Sequence, residues 1–203
     1  EMFQAWESEH GVSVSPSIHF TGGEPFLYEG LWDLAAYARR KRYGVALMSN
    51  GCLITKDDAK RASTIGISDI QISLEGPPDL HDSIRGQGSF MAATKGVETL
   101  VKSGVRVSAN VTLSRLNAGQ IEETTEVARR MGFYGIGFSR MVPCGRGKEL
   151  RDRLLTPQEL KQAYQRILSL NTPSFEVASG DPLAGTLLEP NIPSGCNLSL
   201  AGC

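Results

Sequence analysis

Short apolar runs alternate along this chain with longer stretches whose apolar residues recur at helical spacing. The short runs lie at Ser17–Phe20, Val45–Ser49, Asp69–Leu74, Arg106–Leu113 and Gly135–Ser139, and the helical ones at Leu31–Tyr43, Lys56–Ile65, Phe90–Ser103, Ala118–Met131 and Pro157–Leu170. Strand patterns that give way five times to helix patterns predict successive βα units, and therefore an α/β fold around a parallel sheet. Gly44, Gly66, Gly104 and Gly132 each stand between a helix and the next strand, where a left-handed C-terminal cap costs glycine least. After Leu170 the regularity fades. Residues 171–203 are rich in Pro, Gly, Ser and Asn and read as a linker, so that the core is expected to span residues 1–170.

The opposite ends of the strands carry polar turns: Thr21-Gly22-Gly23-Glu24-Pro25, Ser49-Asn50-Gly51, Glu75-Gly76-Pro77-Pro78 and Pro143-Cys144-Gly145-Arg146-Gly147. Loops at the C-terminal rim of parallel strands converge, so binding chemistry is expected on that one face. Gly22 and Gly23 delete two successive side chains just where the first strand ends. Glycine there permits close backbone approach by a ligand, and Pro25 fixes the chain as it turns toward the next helix. An ordinary strand-to-helix connection has the same composition, so this stretch alone does not decide.

Composition narrows the function classes. The chain has 203 residues and a formal net charge of -1, with 40% hydrophobic residues. That balance suits an ordinary globular core, offers no electrostatic footprint for nucleic acid, and contains no apolar run long enough for a membrane span. A cytoplasmic location is the default expectation. Cys52, Cys144, Cys196 and Cys203 are expected to be reduced thiols or metal ligands, because a domain of this size does not need disulfides. The start at Glu1, inside a helix-like segment, and the end on Cys203 suggest a piece of a longer protein.

Read together, the rim motifs carry a resemblance. Thr21-Gly22-Gly23-Glu24-Pro25, Ser49-Asn50-Gly51, Ile72-Ser73-Leu74-Glu75-Gly76-Pro77, His81-Asp82-Ser83-Ile84-Arg85-Gly86, Gly88-Ser89-Phe90 and Asn110-Val111-Thr112 follow in an order and spacing that resemble the radical S-adenosylmethionine (SAM) enzymes. The resemblance is to the subgroup with a C-terminal SPASM or twitch extension, and runs from about Ser17 to Thr156. It implies a partial parallel (β/α)6 TIM-type barrel whose first strand and cluster loop are missing from this chain, with five of six strands visible.

What the resemblance implies for individual residues stands beside a plainer alternative for each. Gly22 and Gly23 would meet the amino acid end of SAM, with Glu24 supplying negative charge and Pro25 completing the turn; Glu24 equally suits a helix N-terminus. Ser73 and Arg85 would hold the SAM carboxylate, for which the planar fork of arginine is suited, although a surface salt bridge also accounts for Arg85. Ser49, Asn50, Asn110 and Thr112 would face the ribose; an ordinary turn and an inter-strand hydrogen bond are the alternatives. Arg140 would close over the adenine or the carboxylate. Glu75 would stand near the reaction centre as a catalytic residue, or cap the turn, or neutralise an arginine. His19 is expected to be a packed core residue.

The family's Cys-x-x-x-Cys-x-x-Cys loop, which binds the [4Fe-4S] cluster, is absent from the sequence and is expected upstream of Glu1, with residues 1–10 as the helix that follows it. Cys196 and Cys203, each after a glycine, resemble the entry to an auxiliary-cluster domain and are candidate ligands, or else free thiols. The implied activity is reductive cleavage of SAM to a 5′-deoxyadenosyl radical that modifies a peptide, a protein side chain or a tetrapyrrole-type precursor. Its partners would be that substrate and an electron donor such as flavodoxin or ferredoxin. The 203 residues alone are expected to be inactive. Two rival readings are a barrel without a cluster that binds peptides as a scaffold, and a barrel enzyme acting on a phosphorylated small molecule.

Overall fold

The computed structural model describes residues 2–11 and 15–188. Helix α1 (Met2–His10) precedes strand β1 (Ser17–Phe20), and the chain then winds through α2 (Leu31–Arg40), β2 (Gly44–Ser49), α3 (Lys56–Ile65), β3 (Asp69–Ser73), α4 (Pro78–Arg85), α5 (Ser89–Lys102), β4 (Val107–Leu113), α6 (Ile121–Met131), β5 (Gly135–Arg140), α7 (Pro157–Ser169), β6 (Glu176–Ser179) and α8 (Pro182–Leu188). The six strands form one parallel sheet in the order β1-β2-β3-β4-β5-β6. Each βα unit adds its strand beside the last. This is the winding of a parallel barrel left open at its ends.

Alternation along the strands divides the sheet into two unlike faces. Val45, Leu47, Ile70, Ile72, Val107, Ala109, Val111, Ile136 and Phe138 are buried in one core with Ala35, Ala59, Val97, Leu100, Ala128 and Ile167 of the helices. The other parity is largely polar: Gln71 pairs with Met48, Ser73 with Asn110, and Thr112 with Ser139. A parallel sheet covered on both faces reads apolar at both parities. Here helices cover one face, and the inner face is left to polar side chains.

Four expectations need correction. The sequence past Leu170 is not a linker throughout: β6 pairs in parallel with β5, and Phe175, Val177 and Ala184 join the core, so the sheet domain continues beyond residue 170. Four residues are too few for a periodic signal, which is why β6 was not legible. The stretch after Glu75 is not only a turn, since α4 begins at Pro78, where a proline costs a helix nothing. Gly66, Gly104 and Gly132 do take left-handed conformations, but in the connection from α2 to β2 that conformation falls on Arg42, because the helix stops at Arg40 and Gly44 already belongs to the strand. His19 is exposed rather than packed, because it shares the inner parity with Ser17, whose Oγ lies 3.3 Å from its Nε2.

Candidate functional site

A cavity of about 340 Å³ opens at the C-terminal ends of the strands. Its size falls in the range of roughly 300–1,000 Å³ usual for small-molecule sites. The loop after β1 contributes Thr21, Gly22, Gly23 and Glu24, β2 and its turn contribute Met48, Ser49 and Asn50, β3 contributes Gln71 and Ser73, β4 contributes Asn110, and Arg85 closes one side from the end of α4. Gly22 has a φ of 124°, which side chains rarely adopt, and a Cβ built on Gly22 or Gly23 would meet nothing within 4 Å. No protein atom fills the space the two glycines leave.

Glu24 stitches two loops together. Its Oε1 accepts from Ser49 Oγ at 2.7 Å and from the Phe26 amide at 3.4 Å, and its Oε2 accepts from the Asn50 amide at 2.9 Å. Asn50 in turn accepts from the Cys52 amide at 2.8 Å. Burial, with the Glu24 charge adding, pushes the Cys52 thiol up. Gln71, Ser73 and Asn110 make no side-chain hydrogen bond to another described residue. Their donors and acceptors are therefore available to a ligand.

Arg85 is held from behind. Its Nε and Nη2 both donate to Glu75 Oε1, at 3.0 and 2.6 Å, and the Glu75 side chain is only 5% exposed against 32% for Arg85. Of the three roles open to Glu75, neutralising a neighbouring arginine is therefore the one the structure shows; it does not line the cavity. The segment from His81 to Phe90 serves the same placement. The Glu75 amide donates to His81 Nδ1 at 3.2 Å, which requires a neutral ring with its proton on Nε2. Asp82 accepts from the Gly88 and Phe90 amides, each at 2.7 Å, tying the end of α4 to the first turn of α5. Those backbone bonds hold its carboxyl below the usual range.

His81 makes the fold sensitive to acid. Burial, reinforced by the Arg85 charge, lowers its pKa to about 4 from an ordinary 6.5. The unfolded chain thus binds a proton that the folded chain refuses throughout that window, so stability is present above pH 6.5 and falls as the pH drops toward 4. The melting temperature is expected to decline over this interval, and His81→Phe should flatten that decline. An unchanged pH profile in the variant would show that His81 is not the responsible group.

Three expected SAM residues do not line the cavity. Thr112 contributes its backbone, the amide donating to Glu75 Oε2 at 3.1 Å. Arg140 follows Ile136 and Phe138 in parity, and its Nε stands 2.8 Å from Oδ2 of Asp181 in the loop after β6, an oxygen that also accepts from the hydroxyl of Tyr164 on α7. The expectation for Arg140 is corrected on that ground. Pro25 begins the 3-10 turn Pro25–Leu27 and shapes the loop without lining the cavity. Cys196 and Cys203 lie outside the described residues. Among the described residues no three His, Cys, Asp or Glu side chains stand close enough to hold a metal ion, and no helix is long and apolar enough to cross a membrane.

Sequence reasoning missed Thr21, Met48, Gln71 and Asn117. Gln71 shares its parity with Ser73, a signal that was open to inspection. Asn117 gave none. It is buried, and its Nδ2 donates to the carbonyls of Glu75 and Thr112 at 3.1 and 3.0 Å while its Oδ1 accepts from the Ser114 amide at 2.9 Å.

Comparison with known proteins supplies a frame for this site. The sequence model of the radical SAM superfamily matches residues 9–128. The chain is 34% identical over 155 residues to Fe-coproporphyrin III synthase of Methanosarcina barkeri, covering 76% of this chain and 39% of that protein. It is 32% identical over 191 residues to mycofactocin maturase MftC of Mycolicibacterium smegmatis, covering 91% of this chain and 47% of that one. Among solved structures it resembles native anSMEcpe with bound AdoMet and Cp18Cys peptide, at a TM-score of 0.64 and 20% identity over 75% of this chain and 46% of that one, a likeness of fold. The chain spans less than half the length of each of these relatives.

Proposed function

The chain belongs to the radical SAM superfamily, and from that premise we propose that its cavity is the SAM site of a maturase acting on a peptide, a protein side chain or a tetrapyrrole-type cofactor precursor. One observation carries the reading: unpartnered polar side chains on the inner face meet two bare glycines and an arginine in a cavity of small-molecule size. In this reading the Gly22-Gly23 backbone accommodates the methionine ammonium, with the Glu24 charge close by. Ser73 and the free Nη1 edge of Arg85 take the carboxylate, and Ser49, Asn50 and Asn110 face the ribose hydroxyls.

Held by Ser73, Arg85 and the Gly22-Gly23 turn, SAM would supply one-electron radical chemistry for removing a hydrogen atom from the substrate. The described residues orient the ligand and offer no ligand set for a [4Fe-4S] cluster, so they are given no part in electron delivery. A donor such as flavodoxin or ferredoxin, and auxiliary clusters at Cys196 or Cys203, belong to the same proposal. The name of one relative favours a porphyrin-type substrate and that of another a maturation substrate, so both classes are carried.

Equilibrium dialysis against SAM, with ATP and a sugar phosphate as competitors, tests the site. SAM is expected to bind and both competitors to fail. Binding of the sugar phosphate without SAM would instead favour a barrel enzyme of phosphorylated metabolites. For the activity, the full-length protein, reconstituted anaerobically with iron and sulfide and then reduced, is expected to release 5′-deoxyadenosine; a protein that binds SAM but releases none would contradict the maturase assignment.

A further inference from the structure

The geometry points to Glu75 as a positioning residue that aims Arg85 at the ligand, with Asn117 as the brace that holds Glu75; this rests on the SAM reading above. Every polar atom of Glu75 is engaged. Its amide donates to His81, its carbonyl accepts from Asn117 Nδ2, Oε1 takes two N–H groups of Arg85, and Oε2 takes the Thr112 amide. Three N–H groups thus take up most of the acceptor capacity of this buried carboxylate, which lies directly behind Arg85, the one Lys or Arg among the described residues that line the cavity.

The pairing settles which edge of the guanidinium is presented. Nε and one face of Nη2 are committed to Glu75, so Nη1 and the remaining Nη2 proton are left for the cavity. A guanidinium on a long side chain would otherwise sample many rotamers, and fixing it beforehand removes that cost from ligand binding. Asn117 extends the brace. By donating to the Glu75 and Thr112 carbonyls together it locks the turn after β3 to the end of β4, so the carboxylate cannot retreat from the arginine.

A double-mutant cycle with SAM affinity as its readout tests this. In Glu75→Gln the side-chain shape is kept, but an amide donor replaces an oxygen that must accept from Arg85 or Thr112. The dissociation constant is expected to rise roughly tenfold in Glu75→Gln and about a hundredfold in Arg85→Ala, the worth of one to two charge-assisted contacts. The double variant should match Arg85→Ala within about twofold, because Glu75 acts only through the arginine. Arg85→Lys, which keeps charge but loses the fork, should fall with Arg85→Ala. Melting curves recorded in parallel separate folding from affinity. Unchanged affinity in Glu75→Gln, or losses that multiply in the double variant, would overturn the positioning role. Unchanged affinity in Arg85→Ala would instead sink the SAM site itself. Should Glu75→Gln not fold, Asn117→Ala takes its place in the cycle, where unchanged affinity or multiplying losses would again overturn the role.

Discussion

Alanine at Gly96 is expected to lower the stability of the fold by about 3 kcal/mol and to spoil the cavity at the same time. Gly96 lies inside α5, and a Cβ placed there would stand 2.1 Å from the carbonyl oxygen and 3.2 Å from the carbonyl carbon of Gly51. The obstacle is backbone, which cannot swing aside as a side-chain end can. Either α5 moves away from the sheet or the Ser49-Asn50-Gly51 turn is pushed out of place. Alanine recovers about 1 kcal/mol of helix propensity, which the overlap outweighs. A drop of roughly 6–12 °C in melting temperature is expected for a chain of this length. Weaker SAM binding should accompany it, since Ser49 and Asn50 line the cavity. A variant that melts and binds like the parent would show that helix and turn do not approach so closely.

Valine at Gly23 is expected to do the reverse, sparing the fold and closing the site. Nothing lies within 4 Å of a Cβ at this position, and its backbone is not in the left-handed region, so the substitution meets no protein obstacle. The added methyl groups occupy ligand space. The SAM dissociation constant should rise at least a hundredfold, about 3 kcal/mol, with the melting temperature almost unmoved. Retained affinity would place the ligand elsewhere in the barrel. The two glycines thus separate two uses of a missing side chain: Gly96 admits another part of the protein, and Gly23 leaves open the space assigned to the proposed ligand.

Much of the architecture was legible because local and global preferences agree. The runs beginning at Ser17, Val45, Asp69, Arg106 and Gly135 became strands, and the stretch Lys56–Ile65 became a helix with the predicted bounds, starting from a Thr55 cap that shares a reciprocal pair of hydrogen bonds with Asp58. The rim turns could be placed for the same reason. Alternation along a strand assigns faces, and the register that pairs Ser73 with Asn110 brings both to the cavity.

What the sequence determined by itself was the order of the βα units, the face that carries the polar turns, and the family those turns resemble, because the first two follow from periodicity and the third from motifs of residues close together in the chain. What only the tertiary structure decided was how the charges pair. Arg140 is drawn to Asp181, and Arg85 is drawn to Glu75 with Asn117 behind it. Asp181 lies 41 positions after Arg140, on a loop following a strand too short to announce itself, and Asn117 comes 42 positions after Glu75. A buried charge seeks whichever partner the packed sheet brings within reach, and one-dimensional spacing does not encode that distance.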